Sequence, residues 1–391
     1  MKHIQIKERV YYIGANDRKK SLFENNWPLP NGVAYNSYLI KDQKNVLIDT
    51  LEFGAKDDYI ENIKAILEGE QLDYLVVNHM EPDHSSMVGF IIKEFPNIKV
   101  VANSKAFKML EAYFGLDNSQ IHEVKDGDVL EIGYHKLNFV LTPWVHWPET
   151  MMTYDSTDKI LFSCDAFGSF GTLDGGIFDD EINFQFYEDE MRRYYSNIVG
   201  KYSNMVQKAF AKLEGVDISV ICPSHGPVWR TNPSLPISLY DKWSKHESEE
   251  GVVIAFASMY GNTEKMADYL ARLIAERGVK NIRIFDVSKT HVSFIINEIW
   301  KYKGVILGSS AYNAGMHPMM QHLCHELEGL NPKNKNYALF GSYSWSGGGV
   351  KSLISFADKM TWNKVAEPFE IMGVPDSSKM GGLSEIADNI L

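Results

Sequence analysis

The segment YLVVNHMEPDHSSM puts His79, Glu81, Asp83 and His84 immediately after an apolar, strand-like run. Imidazoles and carboxylates at this density are the donor set of a transition-metal site. Residues in a strand point alternately to opposite faces, so these donors are expected to converge only in a loop at the strand end. Three further candidates also follow apolar runs: His146 after LNFVLTPWV, Asp165 after ILFSC and His225 after VICPS. A lone histidine beside a carboxylate is usually a satisfied polar pair, whereas strand ends that repeatedly carry such residues point to one shared metal centre. Trp144, Trp147, Tyr194 and Tyr195 are candidates to line a pocket around it, or equally to pack in a core. Cys164 and Cys222 adjoin candidate positions but are expected to be small buried residues, since thiolate ligands would alter the redox chemistry that carboxylates set.

A second chemistry sits near residue 260. After the run VVIAFAS, the loop residues Ser258, Met259, Tyr260, Gly261, Asn262 and Thr263 lead straight into a helical pattern. Backbone N–H groups at a helix N-terminus, with the hydroxyls of Ser258 and Thr263, make a cradle for a monoester phosphate. The spacing is neither that of a P-loop nor G-x-G-x-x-G, which disfavours a nucleoside triphosphate or a dinucleotide. The S/T-x-Y-G-N-T form is similar to flavodoxin, whose ligand is FMN. Two later loops fit the same ligand: Ser309–Gly315, with Ser310, Ala311, Tyr312, Asn313 and Ala314, and Gly341–Gly349, with Ser342, Tyr343, Ser344, Trp345, Gly347 and Gly348. Tyr312 and Trp345 are candidates to pack on the isoalloxazine, and the glycines let backbone amides approach its polar edge.

The elements that must position these residues read as two domains. Up to about residue 230, short β-rich runs (VYYIGA, AYNSYLI, NVLIDT, YLVVNH, IKVVAN, LNFVLTP, ILFSCDAF, SVICPSH) alternate with helical stretches, and a long amphipathic segment spans Glu188 to Leu213. Pro227 to Gly251 reads as a short helix and a linker, with three prolines by Pro236 and a charged polar end. From Gly251 onward strands and helices alternate strictly, the pattern of a parallel doubly wound sheet. The division expected is 1–248 and 249–391.

Composition excludes several classes. A chain of 391 residues supports two proper cores without disulfide staples. Cys164, Cys222 and Cys324 contain no C-x-x-C pair, which argues against a rubredoxin module, a zinc ribbon or a cysteine-ligated cluster. With 51 acidic against 39 basic residues and no basic stripe, nucleic acid is not an expected partner. No run reaches the length of a signal peptide's apolar core or of a membrane-spanning helix, so a cytoplasmic protein without membrane association is expected.

H-x-E-x-D-H followed by His146, Asp165 and His225, with a flavodoxin-like half behind it, resembles the flavodiiron proteins, also called A-type flavoproteins. The resemblance covers essentially the whole chain. It implies an α/β protein with an N-terminal metallo-β-lactamase-like αββα domain and a C-terminal flavodoxin-like doubly wound parallel sheet. It also implies that His79, Glu81 and His146 hold one iron, that Asp83, His84 and His225 hold the other, and that Asp165 bridges them, with water replacing the residue at His84 in some members. Zinc hydrolases of the same fold resemble H-x-H-x-D-H, and the carboxylate of Glu81 in place of an imidazole suits ferric iron better than zinc.

The activity implied is reduction of O₂ to water and/or NO to N₂O, with electrons passing through FMN to two non-haem irons. Trp147 and Tyr195 are the candidates for supporting residues beside the metals. The alternatives are a zinc-dependent hydrolase fused to a flavodoxin-like domain, and an electron carrier whose N-terminal domain is a relic. With no donor module before Leu391, an external donor is expected: rubredoxin, a reduced deazaflavin or a flavin reductase. The working unit expected is a head-to-tail homodimer or a dimer of dimers.

Overall fold

Apolar runs of three to six residues interrupted by polar ones make short strands whose ends reach solvent or a site. In the computed structural model, which describes residues 3–391 apart from Phe53, Ala55, Asp117 and Ser377, these runs build two compact units. One comprises Met1–Tyr195 with Tyr202–Asp241, the other Ser196–Lys201 with Lys242–Leu391.

In the first unit, a mixed sheet orders Ile4–Lys7, Val10–Tyr12, Tyr38–Ile40, Val46–Ile48, Tyr74–Val76, Lys99–Ala102 and Ile121–Glu123. A second sheet orders Val129–Glu131, Lys136–Leu141, Met151–Asp155, Ile160–Cys164 and Val220–Pro223. Ile40, Ile48, Val76 and Val101 of the first share one core with Leu137, Phe139, Phe162 and Val220 of the second. Helices such as Ser104–Phe114 and Ser203–Leu213 bury one apolar stripe each, giving the αββα layering.

Two sequence expectations change here. The run AYNSYLI is two strands, because Asn36 between them turns its amide to the carbonyls of Pro223 at 2.9 Å and Gly226 at 2.8 Å. The segment from Glu188 to Leu213 is interrupted: helix Gln185–Tyr194 passes into a π turn at Tyr195–Val199 and a tight turn at Gly200–Tyr202 before helix Ser203–Leu213. Gly200 is required there, since a Cβ would lie 2.7 Å from the Trp300 ring.

The second unit's sheet orders Ile282–Asp286, Glu249–Ala257, Tyr302–Tyr312, Asn336–Tyr343 and Phe369–Met372, every neighbouring pair parallel. This 2-1-3-4-5 order is that of flavodoxin-like sheets. Val252, Ile254, Ile306 and Phe340 pack against Met266, Leu270 and Ile274 of helix Asn262–Glu276. The order reverses beside Glu249–Ala257, so the crevice for a ligand opens at the carboxyl ends of that strand and its neighbour Tyr302–Tyr312.

Candidate functional site

Each metal-ligand candidate stands just beyond an end of a strand in the first unit. His79 follows Tyr74–Val76, Asp165 follows Ile160–Cys164, His225 follows Val220–Pro223, and His146 lies on the connection from Lys136–Leu141 to Met151–Asp155. The expected loop after His79 is partly a helical turn, Pro82–Ser85, with Glu81 extended just before it. Proline suits the first helical position because its missing N–H would be unpaired there. The turn swings Asp83 and His84 about 100° apart around its axis rather than to opposite faces, and so resolves the convergence that a strand forbids.

All seven side chains are buried and meet at Asp165. Asp165 Oδ2 lies 3.3 Å from His79 Nε2 and 3.2 Å from His146 Nε2, while Glu81 Oε2 is 2.9 Å from His146 Nε2 and 3.4 Å from His79 Nε2. Asp165 Oδ1 lies 2.8 Å from His84 Nε2 and 3.6 Å from His225 Nε2, and Asp83 is 3.4 Å from the first of these and 3.2 Å from the second. Each oxygen of one carboxylate therefore faces its own set of two imidazoles and a carboxylate, and His84 points inward with the rest.

The electrostatics carry the mark of crowded donors. Burial alone would lower the His79 imidazolium, but Asp165, Glu149 and Glu81 raise it to about 9. Against the same burial, Asp83 and Asp165 raise His84 to about 10. Asp165 runs opposite: burial would raise it, and the charges of His84 and His79 bring it well below the ordinary carboxylate value. Without a cation, Asp165 is thus held ionised beside His79 and His84, which keep their protons.

In the second unit three loops gather at adjacent strand ends. Gly261 Nα–H donates to Ser258 Oγ at 3.0 Å and opens helix Asn262–Glu276 with a φ of 89°. Thr263 is fully buried, and its hydroxyl meets that of Ser342 at 2.9 Å, tying the first loop to the third. Gly348, at φ 137°, brings the third loop onto the second so closely that a Cβ would lie 2.2 Å from the Ala314 carbonyl oxygen. Met259, Tyr260, Tyr312 and Trp345 present exposed side chains around this cradle, while Ser310 and Ser342 are buried in it. Asn313 and Ala314 both take the left-handed conformation that turns the second loop back on itself.

Residues 33–226 match the family described as ODP family beta lactamase, and residues 254–383 match Flavodoxin. The anaerobic nitric oxide reductase flavorubredoxin of Escherichia coli strain K12 is 35% identical over 355 residues, spanning 90% of this chain and 74% of that protein. The rubredoxin oxygen:oxidoreductase of Desulfovibrio gigas superposes with a TM-score of 0.95 at 30% identity, covering 100% of this chain and 98% of that one. The flavodiiron protein of Giardia intestinalis gives 0.94 at 26% identity, covering 100% and 96%. The chain belongs to the flavodiiron proteins.

As a flavodiiron protein it is an oxidoreductase, and its cofactors are FMN and a non-haem diiron pair. The donors fit two such ions. His79 Nε2, His84 Nε2, His225 Nε2 and both carboxylate oxygens of Asp83 and Asp165 are buried without a hydrogen bond, although neighbours stand within ion-pair distance. Buried polar atoms without partners are rare unless they aim at an ion. The donor atoms fall into two groups, His79, Glu81, His146 and Asp165, and Asp83, His84 and His225, each within 4.8 Å.

Supporting residues divide differently from the sequence expectation. Trp147 stands edge-on to His79 at 5.1 Å. Tyr195 does not take the corresponding place: its ring packs on Tyr240 and its hydroxyl meets Ser203 at 3.0 Å, while Tyr194 faces His225 at 5.6 Å. Successive helical residues point about 100° apart, which separates the two directions where helix Gln185–Tyr194 passes into the π turn. Trp144 stacks on Tyr202 and is partly exposed. Cys164 and Cys222 are buried, free thiols, both raised well above the ordinary value by burial.

Sequence reasoning missed Glu149, Asp49 and the carbonyl of Ala34. Glu149 Oε1 lies 2.8 Å from His79 Nδ1, and the Ala34 carbonyl oxygen lies 2.7 Å from His225 Nδ1, so both rings are held with Nε2 inward. Asp49 accepts from the backbone N–H of Asn78 at 2.7 Å and from its amide at 2.9 Å, fixing the approach to His79. Asp49 directly follows the apolar Val46–Ile48 in the run NVLIDT, the same strand-end carboxylate signal that marks Asp165.

Proposed function

We propose that this chain takes electrons from an external donor through FMN to a diiron pair that reduces O₂ to water and/or NO to N₂O. The observation that carries the reading is Asp165, whose two oxygens face separate donor sets. On this reading His79, Glu81 and His146 would hold one iron, Asp83, His84 and His225 would hold the second, and Asp165 would serve both. Trp147 and Tyr194 close the aromatic wall, and Tyr194 brings a buried hydroxyl without a hydrogen bond toward His225. Tyr35, whose ring stands 5.8 Å from His225, also lines a neighbouring cavity of about 400 Å³ with Glu52.

Ser258, Met259, Tyr260, Gly261, Asn262 and Thr263 would hold the FMN phosphate, with Ser310 to Ala314 and Ser342 to Gly348 around the ring. Bound at their sites, the flavin supplies electrons one or two at a time and the irons supply the redox change at the substrate. The chain's own contribution is a buried, pre-oriented donor set: Glu149 and the Ala34 carbonyl keep two imidazoles aimed inward, so little reorganisation is needed as charge changes.

Three carboxylates in the donor set, together with family membership, weigh against the zinc hydrolase reading. The donor would be rubredoxin, a reduced deazaflavin or a flavin reductase, and the working unit a head-to-tail homodimer or a pair of them in the cytoplasm. Twofold pairing would place each chain's flavin beside its partner's irons. The test is to reduce the FMN- and iron-loaded protein anaerobically, mix it separately with O₂ and NO, and follow flavin reoxidation with gas consumption. Rapid turnover of at least one gas is expected, and the faster one names the substrate. Loaded protein that consumes neither would overturn the reading.

A further inference from the structure

A second cluster of metal-type donors lies at the other end of the strand Ile160–Cys164. Asp165 follows this strand and Asp158 precedes it, so five residues at about 3.3 Å each separate the two places by roughly 16 Å. His135, Asp155 and Asp158 offer donor atoms all within 4.8 Å of one another. His135 and Asp155 are fully buried, and Asp158 is partly open to solvent.

The tautomer of His135 decides what the cluster can do. Asp42 accepts from the backbone N–H groups of Gln43, Tyr134 and His135, and its Oδ2 lies 2.7 Å from His135 Nδ1. Burial would raise the Asp42 carboxyl, but those donors bring it below the ordinary value. An ionised Asp42 accepts, so Nδ1 carries the proton. Nε2 then faces Asp158 Oδ2 at 3.4 Å and Asp155 Oδ2 at 4.0 Å, yet it is buried with no hydrogen-bond partner. Nε2 and two carboxylates thus look at one another around a common point, where a cation would take the Nε2 lone pair and both carboxylates. Asp155 Oδ2 also accepts from the Asp158 N–H at 3.2 Å. Burial raises the Asp155 carboxyl against the backbone N–H groups of Thr157 and Asp158 and the neighbouring His135, which lower it.

We propose that His135, Asp155 and Asp158 form a further metal site, distinct from the diiron centre, that takes a divalent zinc ion. Donors around a tetrahedral ion with bonds of about 2.0–2.1 Å stand about 3.4 Å apart. The His135–Asp158 pair already has that spacing, and Asp155 has to close by only about 0.6 Å. One imidazole with two carboxylates suits a borderline ion, and the absence of thiolate from the set disfavours copper(I). Asp42 plays the carboxylate that orients a ligating histidine. Through Asp42 and His135 the ion would link both sheets, since Asp42 follows the strand Tyr38–Ile40 of one. Asp155 ends the strand Met151–Asp155 of the second, and His135 and Asp158 lie in connections between its strands.

The test uses the full chain loaded with iron and FMN, incubated with zinc chloride, freed of unbound metal and counted for both elements. Wild type is expected to gain one zinc per chain with its iron unchanged and to melt at a higher temperature. Asp158→Asn, a partly exposed position whose replacement leaves the fold intact, should gain none, and Asp42→Asn should bind about 10–100-fold more weakly. The proposal fails if wild type gains no zinc, if zinc enters only in exchange for iron, or if Asp158→Asn gains as much as wild type.

Discussion

Replacing Glu149 with glutamine separates the support of a ligand from the ligand itself. Glu149 Oε1 accepts from Met80 N–H at 3.0 Å and lies 2.8 Å from His79 Nδ1, in a fully buried place. Burial would raise this carboxyl, but the hydrogen bond and charge of His79 hold it below its ordinary value. Glutamine keeps the shape and an acceptor but removes the charge. Hydrogen bonds to charged groups contribute about 1.5–3 kcal/mol and neutral ones about 0.5–1.5, so roughly 1–1.5 kcal/mol is lost, or about tenfold in affinity. The new amide N–H₂ also replaces Oε2, which has no hydrogen-bond partner, and that unpaired buried donor lowers fold stability rather than iron affinity. The assay is chelator competition on FMN-loaded protein with iron counted at each step. The iron on the His79 side should leave at about 10–100-fold lower chelator concentration, while its neighbour leaves as in wild type. A folded variant that keeps both irons as wild type does, or loses both together, would refute the reasoning.

Asp165→Ala should lose both irons and keep FMN, checked by metal counting beside the flavin spectrum, because Asp165 faces both donor sets. Iron binding to the metal-free protein at pH 7 should release protons, seen with an indicator in weak buffer, since His79 and His84, raised to about 9 and 10, are then protonated and must be neutral to ligate. By the same linkage the metal-free fold holds the full stabilisation from these histidines below the unfolded value of about 6.5 and loses it as pH rises through 9 and 10, so its melting temperature should fall across that window. Thr263→Trp should abolish FMN binding and spare iron, because the fully buried side chain meets Ser342 Oγ at 2.9 Å and leaves no room for an indole. Mixing Asp165→Ala chains with Thr263→Trp chains should restore turnover that neither has alone; heterodimers that stay inactive while each chain keeps its remaining cofactor would exclude transfer between chains.

Much of this protein was legible in residue order because its chemistry sits at strand ends. An apolar run that stops at a histidine or a carboxylate announces both the strand and the site, as at His79, Asp165 and His225. Strict alternation after Gly251 likewise implied a parallel sheet, and the glycine- and hydroxyl-rich loops marked where its crevice would be. The breaks were less legible: one strand ends at Asn36 because of acceptors near residue 223, and a π turn at Tyr195 serves a unit otherwise formed by residues beyond 241.

Residue types and local spacing by themselves determined the α/β fold class with a flavodoxin-like half, the strand-end cluster of imidazoles and carboxylates and the glycine- and hydroxyl-rich loops, since each depends on neighbours within a few positions. Only the tertiary structure decided which donors share which oxygen of Asp165, that Tyr194 rather than Tyr195 faces His225, and that Glu149 and Ala34 aim the imidazoles. It also brought His135 to Asp42, Asp155 and Asp158. Such pairings join residues up to 191 positions apart, as between Ala34 and His225. Hydrogen bonds and ion contacts are set within a few tenths of an ångström, a precision that comes from packing two sheets against one another and has no periodic signature in the chain.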